Sequence, residues 1–168
     1  MNEIFTRRSI RRYTDQKVEA DKIDKLLRAA MQAPSGMNQQ AWEFLVVEDK
    51  DTLAKLSKIS PYASAVASSS TTIIVLGNEK EMRVPHDWQQ DLGAATQNIL
   101  LEAVTQNLGA VWIGVAPIED NMNFVSDMFN LPNHIHPFAI IPVGYPAEGQ
   151  SNKFVDRYIP SKVHHGKY

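Results

Sequence analysis

Cysteine is absent from the 168-residue chain. That removes disulfides, iron–sulfur clusters, thiolate zinc sites and a cysteine nucleophile together. Long apolar runs are missing as well. None approaches the roughly 20 residues that a bilayer-spanning helix needs, and Met1–Arg8 carries no apolar stretch of the signal-peptide kind. Nor is charge of one sign in excess. With 17 basic and 19 acidic residues the net charge is -2, whereas a general nucleic-acid or membrane-surface binder carries a strong basic excess. None of the eight glycines falls in G-x-G-x-x-G, and there is neither a P-loop nor a G-x-S-x-G turn. Rossmann, P-loop and hydrolase chemistry therefore lack their signatures. His134-x-His136 and His164-His165 have no carboxylate at a convincing ligand spacing, so no metal is expected. These absences point to a cytoplasmic protein with no nucleic-acid, membrane or metal partner.

What is present reads as one globular domain. At 43% hydrophobic and 21% charged residues the composition is ordinary, and a chain of this length removes roughly 70% of its unfolded surface from water. No repeat or linker divides residues 1–168. Ile23, Leu26, Leu27, Ala30 and Met31 recur at helical spacing and predict a helix over Glu19–Gln32. Aromatic and β-branched residues predict strands over Ala41–Glu48, Thr71–Leu76, Ala110–Ala116 and Phe138–Gly144. A short helix capped by Asp51 should run to Ile59. A long one should run from Pro85 or Asp87 to Leu108, with Leu92, Ala95, Ile99 and Ala103 on its buried stripe and Gly109 as its stop. A further helix is expected over Glu119–Phe129. From Pro146 to Tyr168 periodicity disappears, and a structureless stretch of about 20 residues is usually disordered or functional. Its Phe154, Tyr158, Ile159 and Val163 are apolar enough to dock on a second subunit.

Four clusters carry candidate chemistry. Arg7-Arg8-Ser9-Ile10-Arg11-Arg12-Tyr13 sets four arginines in six positions. Guanidinium forks suit phosphate, although a solvated basic arm is the plainer reading. Pro34-Ser35-Gly36-Met37-Asn38-Gln39-Gln40 sits between a helix and a strand, and its amides match the mixed edge of a heterocycle; otherwise it is a polar connection. Trp112-Ile113-Gly114 puts a glycine inside a predicted strand, which marks a bulge, a close ligand approach or simple packing. In the tail, Arg157 can join the N-terminal arginines on one anion or stand as a surface charge.

Taken in order, these clusters resemble the nitroreductase family of flavin mononucleotide (FMN) oxidoreductases. The resemblance runs from Arg7 to Tyr168. It rests on Arg7–Arg11, Ala33–Trp42, Asp91–Asn98, Leu108–Gly114 and Val143-Gly144-Tyr145-Pro146. It implies an α+β sandwich, a mostly antiparallel sheet flanked by helices, in an intertwined homodimer whose 147–168 arm crosses to the partner. By the same resemblance Arg7, Arg8 and Arg157 match positions near the FMN phosphate, and Ser9 a position beside the ribityl region. Arg11 matches the basic residue at the pyrimidine edge. Pro34, Ser35, Gly36 and Asn38 match the loop at the ring, partly from the other subunit, and Ile113 and Gly114 the backbone near N5. The implied reaction takes hydride from NADH or NADPH and gives it to a small electrophilic acceptor, a nitroaromatic or quinone, in a two-step exchange at flavin N5 with no catalytic side chain. Two departures stand out: Gly36 replaces a common second Ser, and Ala41 replaces the Pro of Gln-Pro-Trp. The 77–88 stretch is also short, which leaves little room for a lid. The rival readings are a dehalogenase-like or flavin-consuming relative, a flavin-binding regulatory or storage module without hydride transfer, and a nucleic-acid-binding arm.

Overall fold

A computed structural model describes residues 2–168. Its centre is β2 (Thr71–Asn78), a Thr-Thr-Ile-Ile-Val-Leu run buried along all but its last residue. A strand buried on both faces needs apolar residues at consecutive positions, and this one has them. On one side it pairs antiparallel with β1 (Trp42–Val47), and on the other with β5 (Ile135–Gly144). β5 also pairs antiparallel with β3 (Gly109–Ala110) and β4 (Ile113–Gly114), giving the order β1-β2-β5-β3. The α+β antiparallel expectation holds.

Alternation along β2 divides the core in two. Ile73 and Val75 face a layer holding α2 (Ala20–Ala30) and the 18-residue α5 (Trp88–Thr105). Ile74 and Leu76 face the opposite layer with α3 (Lys50–Leu56), α4 (Ser64–Ser68) and α6 (Glu119–Phe129). The α5 stripe is as expected: Leu92, Ala95, Ile99 and Ala103 are buried. On α2 the buried Ile23, Leu26 and Ala30 lie opposite the exposed Lys25–Asp21 and Arg28–Asp24 pairs at 3.2 and 2.6 Å. Exposed i,i+4 pairs contribute only a few tenths of a kcal/mol each, so packing, not charge, seats this helix. Among the described residues no helix is long and apolar enough to cross a membrane.

Several expectations are corrected in detail. The cap of α3 is Asp49, not Asp51: its carboxylate accepts from the Thr52 N–H at 2.8 Å and the Thr52 hydroxyl at 2.6 Å. α5 ends at Thr105 with Gln106 as its cap, and Asn107 just beyond takes the left-handed turn at φ 58. Gly109 is instead the first residue of β3. The continuous strand expected over Ala110–Ala116 is broken at Val111–Trp112. The register places Val111 opposite Pro142 of β5, and proline has no N–H to complete the ladder there. Two short helices were not anticipated, α1 (Glu3–Thr6) and α4. The tail lacks core structure as expected, and every residue from Lys153 to Tyr168 is exposed.

Candidate functional site

The N-terminal segment after α1 runs along the β3 edge. Ser9 forms a parallel bridge with Ala110, the Ile10 N–H donates to the Ala110 carbonyl at 3.0 Å, and Tyr13 bridges Pro146. Ile10 and Tyr13 turn inward and are buried, while Ser9, Arg11 and Arg12 point out. Tyr13 donates from its hydroxyl toward the carbonyls of Ile10 at 2.6 Å and Pro142 at 3.1 Å. Burial pushes its ionisation far up, offset in part by Arg11, so it stays neutral. Gly109 makes this docking possible: a Cβ there would lie 2.6 Å from Ile10 Cβ. The chain returns to the same segment at the start of the tail. Asn152 accepts the Arg8 N–H at 3.0 Å and donates to the Leu108 carbonyl, and Gln150 accepts the Arg11 N–H at 3.2 Å.

This stapling gathers Arg7, Arg8 and Arg157. Burial, then repulsion from Arg157 and Arg8, holds the Arg7 guanidinium below its ordinary pKa. Among the described residues no carboxylate pairs with any of the three. Arg8 turns its terminal nitrogens onto the carbonyls of Arg7 and Phe5, yet its Nε is buried without a hydrogen-bond partner. Buried donors are nearly always matched in a finished protein. A cluster of uncompensated guanidiniums with an orphaned Nε therefore has the donor set for an anion rich in acceptor oxygens, and a phosphate group fits it.

Arg11, on the same N-terminal segment, lines a cleft. With Tyr62, Trp112, Ile113, Gly114 and Asn121 it lines a space of about 730 Å³. Gly114 is exposed, and a Cβ there would meet nothing within 4 Å. Packing inside the chain therefore does not require glycine at this position; its bare backbone is a ledge open to a ligand. Trp112 is held at the rim by an edge contact with Phe138, ring centres 5.6 Å apart.

The Pro34–Gln40 loop is a second, separate place. It contains a tight turn over Gly36–Asn38, with Met37, Asn38 and Gln40 all in the left-handed region at φ 49, 52 and 50. Such residues cost of order 1 kcal/mol each unless their surroundings hold them. Here the holding is explicit. Asp91, buried in the first turn of α5, accepts the Gly36 N–H at 2.9 Å on one oxygen and the Gln39 side-chain amide on the other. Gln39 Oε1 accepts the N–H groups of Arg83 and Val84, each at 2.9 Å, and Ser35 Oγ accepts the Gln40 N–H at 3.0 Å. Pro34, Met37, Asn38 and Gln40 are left exposed. Gly36 sits against Asp87, whose Oδ2 is 3.0 Å from where a Cβ would be.

The structure thus brings Arg7, Arg8, Ser9 and Arg157 together, and Arg11 with Ile113 and Gly114. It does not bring Pro34, Ser35, Gly36 and Asn38 to them within one chain. No hydrogen bond among the described residues links the loop to Arg11 or Gly114, and the cleft takes no lining residue from it. Sequence reasoning passed over Tyr62 and Asn152, gave Asp91 no role of its own, and expected the Gln39 amide to face a heterocycle, whereas it is buried and bonded within the chain. Asp91 carried a usable signal: it lies four residues before Ala95 and eight before Ile99, a charge on the buried stripe of a helix.

Comparison with known proteins identifies the family. The Nitroreductase family model matches residues 4–65 and 61–145. A Methanothermobacter thermautotrophicus protein, provisionally named an NADH dehydrogenase/NAD(P)H nitroreductase, is 40% identical over all of this chain and 87% of its own length. A Clostridium acetobutylicum crystal structure, provisionally described as an NADH oxidase, superposes with a TM-score of 0.97 at 50% identity, covering 99% of each chain. A nitroreductase structure from Desulfovibrio desulfuricans, provisionally so named and solved in complex with FMN, superposes at 0.81 with 32% identity, covering 96% of this chain and 92% of its own. The chain belongs to the nitroreductase family.

Proposed function

We propose that the protein is an FMN-dependent oxidoreductase that passes reducing equivalents from NADH or NADPH to a small electrophilic acceptor such as a nitroaromatic or quinone, working as a homodimer. The observation that carries this reading is the Arg7–Arg8–Arg157 cluster, without a carboxylate partner among the described residues, on the same N-terminal segment as Arg11, which lines the cleft with Gly114. Arg7, Arg8 and Arg157 hold the cofactor phosphate, with Ser9 beside it. Arg11 sets a fixed positive charge at the edge of the cleft, where it favours negative charge on a bound ring. The backbone of Ile113 and Gly114 lies against that ring without a side chain in the way. When bound, FMN supplies the two-electron chemistry; the chain supplies binding, orientation and electrostatics. No side chain is assigned proton transfer.

The dimer follows from the parts that one chain leaves unfinished. Phe154, Val155, Tyr158, Ile159 and Val163 lie exposed on the 147–168 arm. Ile4, Phe5 and Met31 are exposed, and Ile4 lines a groove of about 300 Å³ along α5 with Asn98, Leu101 and Thr105. The chain exposes 9844 Å², where a compact monomer of its mass exposes about 8,300 Å². The arm covers the partner's surface, and the partner's Pro34–Asn38 loop closes over the cleft. The Desulfovibrio relative, solved with FMN, supports the same cofactor.

An absorbance spectrum of the purified protein, followed by anaerobic addition of NADH or NADPH, tests the reading. Flavin bands that bleach on addition are expected. A protein that remains colourless after incubation with FMN would refute it, and a yellow protein that does not bleach would leave a flavin-binding module without hydride transfer.

A further inference from the structure

We infer that Asp91 and Gln39 are positioning residues for the reaction, locking the Ser35–Gln40 loop in the one shape that presents Asn38 and Met37 to the bound ring. The inference rests on the flavin reading above and adds to it a pair of residues that touch neither cofactor nor substrate.

Both side chains are almost fully enclosed, Asp91 at 5% and Gln39 at 6% exposure. Neither plays an ordinary role for its type. Asp91 has no cationic partner among the described residues. Its charge is met by the Gly36 N–H, the Gln39 amide and its place in the first turn of α5. Gln39 in turn ties the loop to the Arg83–Val84 backbone through two 2.9 Å bonds. With two backbone donors on Oε1, the amide cannot flip without facing donor against donor. The loop is therefore pinned from inside at Gly36 and Gln39. The residues between them, Met37 and Asn38, are pushed outward in left-handed conformations, which asparagine tolerates and methionine does not favour by itself. Met37 is 71% exposed. A loop that stores strain and shows its strained residues to solvent is shaped for something it meets, since stability alone would have relaxed it.

The network also dictates how to break and mend it. In Asp91→Asn the new amide can accept only one of the two donors that Asp91 now accepts; its NH₂ faces the other. Adding Gln39→Glu restores the short bonds in reverse polarity. The carboxylate introduced at position 39 accepts from Arg83 and Val84 on one oxygen. Its other oxygen accepts from the amide introduced at position 91, whose carbonyl accepts from Gly36. Only the long Gln39 contact to the Val84 carbonyl, 3.4 Å, is not regained.

The experiment measures, on FMN-loaded protein, the rate of flavin bleaching by saturating NADH per bound flavin, together with KM and the unfolding temperature. In Asp91→Asn, flavin occupancy is retained and the bleaching rate falls by about tenfold or more, as small misplacements of reacting groups do. In the double swap the rate returns to within about threefold of the unmodified protein. A merely stabilising pair would move the unfolding temperature and leave the rate per bound flavin unchanged, and that result overturns the inference. If Asp91→Asn does not fold, the swap decides: folded with a restored rate supports the inference, and slow or unfolded overturns it. If the unmodified protein binds no flavin or does not bleach, the flavin reading falls and this inference with it. If it bleaches and Asp91→Asn bleaches equally fast, this inference alone falls.

Discussion

At the Arg7–Arg8–Arg157 cluster, three guanidiniums crowd together with no carboxylate among the described residues, and a buried Nε has no partner. At the Ser35–Gln40 loop the opposite holds. Its buried amide and the Asp91 carboxylate are matched donor for acceptor, and the strain lies in the backbone. The first region is chemically unfinished, with no left-handed residue in its backbone; the second is chemically complete and carries three. Incomplete chemistry marks where a ligand completes the protein, because a chain that had to stand alone would pair or discard those charges. Complete chemistry under strain marks a surface held ready in advance. No hydrogen bond among the described residues links the two within one chain, and the proposed site takes them from two chains.

The largest expected effect comes from removing the arm proposed to join two chains. Truncation before Lys153 takes away Arg157 and the whole exposed apolar arm, and sedimentation should find monomer with no bound flavin. A truncated protein that stays dimeric would refute the crossing arm. Next comes the unfinished region. Arg8→Ala removes a charge-assisted hydrogen-bonding group, a loss of about 1.5–3 kcal/mol, so FMN titration of the apoprotein should find affinity reduced roughly ten- to hundredfold. Relief of repulsion should at the same time leave the apoprotein's unfolding temperature no lower. Unchanged FMN affinity would take Arg8 out of the phosphate site.

Glycines separate the two kinds of region further. Gly109→Ala drives a Cβ into Ile10 and displaces the segment that carries the arginines. Overpacking of this kind costs about 1–3 kcal/mol, a fall of several degrees in Tm at roughly 2–4 °C per kcal/mol. Gly114→Ala meets only open space, so calorimetry should register no loss of Tm while FMN binding weakens. A Tm loss at Gly114 equal to that at Gly109 would mean that the ledge is packed, not open.

The smallest effect serves as a control far from both regions. Thr52 hydrogen bonds hold the Asp49 carboxyl below its usual range. A carboxylate with a lowered folded pKa contributes stability above its unfolded value, about 3.9, and loses it as pH falls through the folded value. Asp49→Ala should therefore lower Tm slightly at neutral pH and flatten its decline in acid, without touching FMN affinity. A variant whose Tm still declines in acid as steeply as the parent's would remove Asp49 as the cap.

How much of this was legible in the sequence differs along the chain for physical reasons. Ile23, Leu26, Ala30 and Leu92, Ala95, Ile99 repeat at helical spacing, so α2 and α5 could be read directly. The Thr71–Leu76 run could be read because a strand buried on both faces must be continuously apolar. The break at Val111–Trp112 could not, because its cause, Pro142, is 31 residues away in sequence and becomes a neighbour only through β5 pairing. The Asp49 cap was missed by two residues, since Asp49 and Asp51 carry the same side chain and only backbone geometry chooses between them. At the site, Arg7, Arg8 and Arg157 could be read as able to share one anion, and the resemblance implied that it is a phosphate; in the structure burial, and then repulsion from the nearby Arg157 and Arg8, hold the Arg7 pKa down. Asp91 was given no role because it lay inside a helix pattern, and the Gln39 amide was expected to face a heterocycle because it lay in a polar loop; their hydrogen bond to each other gives both an inward role.

The central claim, that one site is assembled from the cradle of one chain and the loop of its partner, is tested most directly by mixing two disabled subunits. One carries Arg8→Ala with Arg157→Ala. The other carries Asn38→Asp, which tolerates the left-handed backbone but sets a negative charge against the bound ring. Each alone should bleach poorly with NADH under anaerobic conditions. Co-expressed with separate tags, random pairing should regenerate about a quarter of the sites with both halves intact, and bleaching should recover to that level. A mixture no more active than its two parents would mean that cradle and loop do not meet across the dimer.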